Sequence, residues 1–173
     1  MINDALVNFI PLTTPLDLGN GVAGDYASSI IDLLGQGDGT TPNNIFGNAT
    51  YFGEDPGIGR FRPQIEVLVT EAFVGGTSLQ VKFQAAPDDA DHVASTWTTL
   101  VETPAIATAS LTLSQVLARF DFPPAFPAGL NPRFLRLLFT TVGVFTAGMV
   151  LAPVVMVRDD QSNKFIPRNY AVA

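Results

Sequence analysis

An alternation of period two on either side of a Gly-Gly pair constrains this chain more than any other feature. Ile65, Val67 and Val69 alternate with Gln64, Glu66 and Thr70. Successive strand residues point to opposite faces, so this run predicts a half-buried strand. After Gly75-Gly76 the pattern resumes, with Leu79, Val81, Phe83 and Ala85 alternating with Gln80, Lys82 and Gln84. Glycine reaches positive φ without strain, and two such runs around Gly-Gly predict a β-hairpin.

Further strands are predicted at regular spacing: Thr96–Val101, Gln115–Phe122, Arg133–Thr141 and Met149–Val157, with shorter candidates at Ser28–Leu34 and Asn48–Phe52. A short helix over Thr112–Phe120, opened by Thr112 and Gln115 as a capping box, competes with one of these. The β-branched and aromatic residues filling its end favour the strand. Eight to ten short strands joined by Gly, Pro and Asn turns indicate an all-β fold, a β-sandwich of jelly-roll type. The Pro-rich connection Phe122–Pro132 suits a crossover between sheets better than a hairpin. No linker separates two composition regimes and no repeat is visible, so residues 1–173 read as a single domain. It carries an N-terminal arm (1–11) and a C-terminal tail (158–173).

Composition removes whole classes of chemistry. The 173 residues include no cysteine and one histidine, His92. Disulfides, thiolate metal sites and cysteine nucleophiles are excluded, and a multi-histidine metal site lacks material. Charged residues make up 14% of the chain, against about 25% in a typical soluble domain. Nine basic residues against 16 acidic ones give a net charge of −7. No Lys/Arg stripe exists to displace counterions from phosphate, so neither nucleic acid nor an anionic membrane surface is an expected partner. The N-terminus lacks the basic region of a secretory signal, so synthesis in the cytoplasm without a targeting signal is expected. The apolar stretch from Arg133 to Val157 is interrupted by Arg136, Gly143, Gly148 and Pro153, which argues against a transmembrane helix.

Candidate chemistry is sparse. Asp88-Asp89-Ala90-Asp91-His92 gathers oxygen and nitrogen ligands that could hold a hard cation, but lacks the glycine and terminal glutamate of an EF-hand loop. A solvated hairpin loop after the Leu79–Ala85 strand is the favoured reading. Gly35–Thr41 has Asp38 where a phosphate-binding loop requires lysine, and Gly53–Gly59 fails the dinucleotide pattern. Glu54-Asp55 and Asp159-Asp160 are adjacent pairs, whereas a glycosidase pair is defined by its separation across a cleft. Asn48-Ala49-Thr50 matches a glycosylation sequon without an export signal. No catalytic constellation emerges, and the expectation is a protein that is not an enzyme and uses no cofactor or metal.

Interaction is better represented. Leu6, Phe9 and Ile10 near the N-terminus, and Phe165, Ile166 and Tyr170 near the C-terminus, are apolar where termini are usually polar. They predict docking, either on the domain's own core or on a partner. Phe122 and Phe126 lie in a stiff proline-rich segment that either presents them to a partner or plugs one end of the sandwich.

Several stretches along nearly the whole chain resemble the jelly-roll cement (decoration) proteins of short-tailed bacteriophage capsids. They are Ile2–Pro11, Ile31–Gly37, Asp55–Gly59, Phe83–Asp88, Arg119–Pro124 and Val157–Gln161. The resemblance implies a structural virion protein bound to the outside of an HK97-fold shell. Its implied partners are the major capsid protein and a second copy of itself, as a homodimer bridging neighbouring capsomers. It offers no catalytic residues to carry over. A second resemblance, through Phe83–Asp88, Trp97–Leu100 and Pro132–Leu137, is to galactose-binding-type sandwiches. It implies a carbohydrate-binding module, often calcium-dependent, with Trp97 or Tyr51 stacking on a sugar. Shared sandwich topology would produce that likeness without shared function.

Overall fold

The computed structural model describes residues 8–11, 13–33, 61–89, 93–121 and 126–158. Almost all of their regular structure is strand. In chain order the strands are β1 (Leu16–Asp17), β2 (Asp25–Ala27), β3 (Ile31–Asp32), β4 (Phe61–Gly75), β5 (Ser78–Pro87), β6 (Thr98–Glu102) and β7 (Ile106–Ala107). A 3₁₀ turn (Thr108–Ser110) precedes β8 (Val116–Asp121), β9 (Pro132–Val142), β10 (Phe145–Leu151) and β11 (Val154–Arg158).

The strands form two antiparallel sheets packed face to face. In the first, β1 pairs β10, β10 and β11 pair β4 in succession along one edge, and β8 pairs the other edge of β4. Ile65 shows the two edges directly, since it faces both Val154 of β11 and Phe120 of β8. In the second, β2 and β3 share one edge of β9, β9 pairs β5, and β6 and β7 share the far edge of β5. Counting strands that share an edge as one position, the orders are β1–β10–β4–β8 and β2–β9–β5–β6. That interleaving is the winding of an eight-stranded jelly roll.

A folded ribbon organises this winding. The β4–β5 segment runs antiparallel to β9–β10 over both halves of its length. The ribbon bends at its middle so that one half lies in each sheet. Gly75 (φ 79°) and Gly76 (φ 58°) make the bend on one strand and Gly143 (φ 78°) on the other. Gly76 N–H donates to Val144 O and Thr77 N–H to Val142 O, both at 2.7 Å. The hairpin predicted around Gly75-Gly76 is therefore absent: β4 and β5 are correctly located strands that belong to different sheets. Positive φ suits a sheet-to-sheet corner as well as a tight turn, and the choice was made by β9 and β10, some 60 residues away in sequence by the numbering.

The alternation does give the burial. Ile65, Val67 and Val69 of β4 and Leu79, Val81, Phe83 and Ala85 of β5 face inward. Phe83 stacks on Phe120 from the opposite sheet, with centroids 6.0 Å apart, and meets Phe9 edge-on at 5.6 Å. Phe73 and Phe145 make a second edge-on pair at 5.1 Å. Each buried phenylalanine adds about 1.5–3 kcal/mol of transfer free energy.

Other sequence expectations hold with adjustments. Thr96–Val101 contains the start of β6, Ser28–Leu34 contains β3, and Gln115–Phe122 becomes β8 instead of a helix. Thr112 and Gln115 close a turn, Gln115 N–H to Thr112 O at 3.1 Å, with Ser114 at φ 66°. The run Met149–Val157 is split at Ala152-Pro153, because proline cannot donate to the ladder; the Pro153 carbonyl accepts from Glu66 N–H at 3.1 Å. As β8 and β9 lie in different sheets, the segment between them is a crossover. Asn48–Phe52 falls outside the described residues.

Candidate interaction surface

The winding brings four sheet-to-sheet connections to one end of the sandwich. They are residues 18–24 (β1 to β2), 74–78 (β4 to β5), 103–115 (β6 through β7 to β8) and 142–146 (β9 to β10). Backbone hydrogen bonds tie them side by side. Gly21 N–H donates to Phe145 O (3.0 Å), Gly76 N–H to Val144 O (2.7 Å), and Thr108 N–H to Thr77 O (3.1 Å). None of the four contains Asp, Glu, Lys or Arg. The large apolar side chains left exposed gather on them: Val22 (60%), Val74 (55%), Val142 (52%), Val144 (49%) and Leu113 (62%). Ile30, Val93 and Val101 are the exposed ones elsewhere among the described residues. Apolar residues scattered singly over a surface need no explanation, but several on adjoining loops without charge make a candidate contact surface.

At the opposite end the described charged residues find partners within the chain. Arg133, at the start of β9, is buried and grips Asp32 of β3 through Nε and Nη2, both at 2.9 Å. Its Nη1 donates to Asp88 at 2.7 Å. These hydrogen bonds hold the guanidinium pKa above its ordinary value despite burial, so it stays cationic wherever the fold exists. Asp89 Oδ1 accepts from Val93 N–H (2.9 Å) and its own N–H donates to Val93 O (3.1 Å), closing the loop after β5. Asp89 closes a loop after β5, whereas Asp88 is tied to a buried arginine, a role that neither the cation-site reading nor the solvated-loop reading of the sequence expected. Among the described residues no group of three or more His, Asp or Glu is placed to hold a metal ion. Asp91 and His92 lie outside the described residues, as do the 35–41 loop, Tyr51, Glu54-Asp55 and Asp159-Asp160.

Trp97, the aromatic proposed for sugar stacking, has one ring face covered by the Arg136 guanidinium at 4.0 Å. Arg136 also donates to Gln84 Oε1 (2.9 Å), and Gln84 donates to Thr99 (3.1 Å). Burial lowers the Arg136 pKa, partly offset by Asp25. That face of the indole is closed to a sugar ring.

The interface residues read from the sequence divide. Phe9 and Ile10 are buried, at 0% and 3% exposure, in the chain's own core. Ser29 N–H donates to Phe9 O (3.0 Å), Ile10 bridges Ala152, and Val154 N–H donates to Asn8 Oδ1 (3.3 Å). From Asn8 on, the expected N-terminal arm is a wall of the sandwich, so these two side chains have no surface left for a partner. Phe9 fills core space beside Phe83, whose ring it meets edge-on. Phe126 is half-buried and packs against the core, matching the plug alternative. Leu6, Phe122, Phe165, Ile166 and Tyr170 lie outside the described residues. Beside residues 8–11 an open groove of about 410 Å³ is lined by Phe9, Pro11, Leu16, Ala27 and Ser28 among others.

Val22, Val74, Val142 and Val144 were not singled out from sequence. A usable signal existed in the charge gaps at 18–24, 72–81, 103–118 and 137–157. Only the fold shows that the gaps converge. No protein-family model and no curated protein matches this chain. Among the described residues no helix is long and apolar enough to cross a membrane.

Proposed function

We propose that this chain is a non-enzymatic capsid cement (decoration) protein, a structural virion component on the outer face of an HK97-fold shell. The reading rests on the residue stretches that resemble short-tailed phage cement proteins. The observation that carries it furthest is the set of four adjoining connections, without charged residues among those described and bearing exposed valines, at one end of a jelly roll. A protein that binds the assembled shell and not its dissociated subunits stabilises the shell by its binding free energy. Repetition over symmetric sites multiplies the effect, so modest affinity per copy suffices.

The test is incubation of the purified chain with expanded capsids lacking their decoration. Co-sedimentation in a fixed ratio and a higher capsid disruption temperature are expected. Recovery of all the protein in the supernatant, with an unchanged disruption temperature, would refute the proposal.

A further inference from the structure

We infer that Asn20-Gly21 is a latent deamidation site, held shut by the connection between β1 and β2. It is the only Asn-Gly pair in the chain. The backbone nitrogen of Gly21 and the side-chain carbonyl carbon of Asn20 are neighbours in the chain, and the glycine has no side chain to hinder their approach. In the first step the Gly21 nitrogen gives its proton to hydroxide and bonds to Asn20 Cγ. The Cγ–Nδ2 bond breaks, and the nitrogen leaves as ammonia after taking a proton from water. Water then opens the succinimide at either carbonyl, leaving aspartate or isoaspartate at position 20. In sum, an asparagine and a water become a carboxylic acid and ammonia, with no change of oxidation state. Asn20 is exposed, and nothing lies within 4 Å of a Cβ built on Gly21, so solvent reaches the pair.

The fold restrains both reacting groups. Gly21 N–H donates to Phe145 O at 3.0 Å, which retains the proton that must leave and fixes the nitrogen against the start of β10. Asn20 Oδ1 accepts from Val22 N–H at 3.2 Å and from the Tyr26 hydroxyl at 2.6 Å. That hydroxyl also lies 2.6 Å from Val22 O. Tyr26 is itself anchored, since it belongs to β2, faces Phe139 in the ladder and packs against the core. Attack requires the carboxamide to swing off two donors and the glycine to leave a third bond. Each bond biases the site toward the closed arrangement by about fivefold, and the three together by about a hundredfold. The site therefore reacts from local or global openings of the fold. Reaction is irreversible and places a carboxylate on a connection that has no charged residue. A molecule whose connection has opened is permanently marked. Any effect of that mark on shell binding rests on the capsid reading; the chemistry does not.

Peptide mapping by mass spectrometry tests this on the full chain, without capsids, so its outcome is separate from that of co-sedimentation. The protein is held at mildly alkaline pH, and the gain of one mass unit is followed at every asparagine. In urea-unfolded protein, position 20 should be the first to change. In the native protein it should change more slowly by about a hundredfold. Tyr26→Phe keeps the ring and removes one donor, and should speed modification of the folded protein by about fivefold. A readout that needs no substitution is the wild-type rate across a urea series, which should climb to the unfolded rate through the unfolding transition. Three results would each overturn the inference. The first is a native protein that modifies Asn20 as fast as the unfolded chain, which means no lock. The second is an unfolded chain in which Asn20 reacts no faster than the other asparagines, which means no latent site. The third is a folded Tyr26→Phe variant no faster than wild type, which means that the hydrogen bonds to the carboxamide do not hold it.

Discussion

Arg133 is the one ionisable side chain buried among the described residues, and it gathers three separate pieces of chain. Asp32 lies 101 residues away and Asp88 lies 45 away. No local pattern could have linked them; in the sequence Asp88 belonged to a candidate cation loop and Arg133 was an interruption in an apolar run. The Arg–Asp32 pair is bidentate, which uses the planar fork of the guanidinium in a way lysine cannot reproduce. Replacing it leaves two carboxylates, each about a third exposed or less, facing each other without a cation. Arg133→Leu should therefore lower unfolding free energy by about 2–3 kcal/mol, at the low side of a broken buried pair because the carboxylates can rehydrate. Arg133→Lys should recover only part of this. Urea unfolding of the three proteins gives the comparison, and a leucine variant as stable as wild type would show that the clamp adds nothing over an apolar side chain. Phe9 teaches a related lesson. Its sequence context could not separate docking on the chain's own core from docking on a partner, because the hydrophobic effect is non-directional. Its edge-on contact with Phe83 decides the matter.

At the scale of elements, the strands were legible because burial on one face imposes alternation, and β4, β5 and β9 show it plainly. Their pairing was not legible. A Gly-Gly between two alternating runs permits a hairpin or a corner, and the difference lies in partners distant in sequence. The candidate surface was hidden for the same reason, since each charge gap is unremarked alone and acquires meaning once four corners adjoin. Gly76 makes the corner testable. A Cβ built there would lie 2.5 Å from the Phe145 ring, at φ 58°, so an alanine meets both a left-handed backbone and a buried aromatic. Gly129 also has positive φ (86°) but nothing within 4 Å of its Cβ position. Gly129→Ala should cost only the conformational term, about 1 kcal/mol. Gly76→Ala should cost about 1–3 kcal/mol more, as Phe145 is pushed from its contact with Phe73. Equal losses in the two variants would mean that the corner accommodates a side chain and that glycine is there for its backbone alone.

For the molecule as a whole, the folded ribbon decides how stability is shared. A sandwich of two self-contained sheets could lose one and keep the other. Here β4–β5 and β9–β10 each pass through both sheets, with Gly75 facing Phe145 on one side of the bend and Ser78 facing Val142 on the other. Melting one sheet pulls strands out of its neighbour and exposes the shared core where Phe83 meets Phe120. Neither sheet retains a buried face without the other, which is the condition for all-or-none unfolding. Trp97 is the only tryptophan in the chain; it precedes β6 of the second sheet and lies under Arg136 of β9. Its fluorescence therefore reports that sheet, whereas far-UV circular dichroism reports strands of both. The two signals should trace one transition with a common midpoint in urea or heat. Refolding should be slow for the chain length, because almost every pairing joins residues distant in sequence. A tryptophan transition at clearly lower denaturant than the dichroism would show that the second sheet opens alone. The bend at Gly75-Gly76 would then act as a hinge and not as the joint that makes the two sheets one cooperative unit.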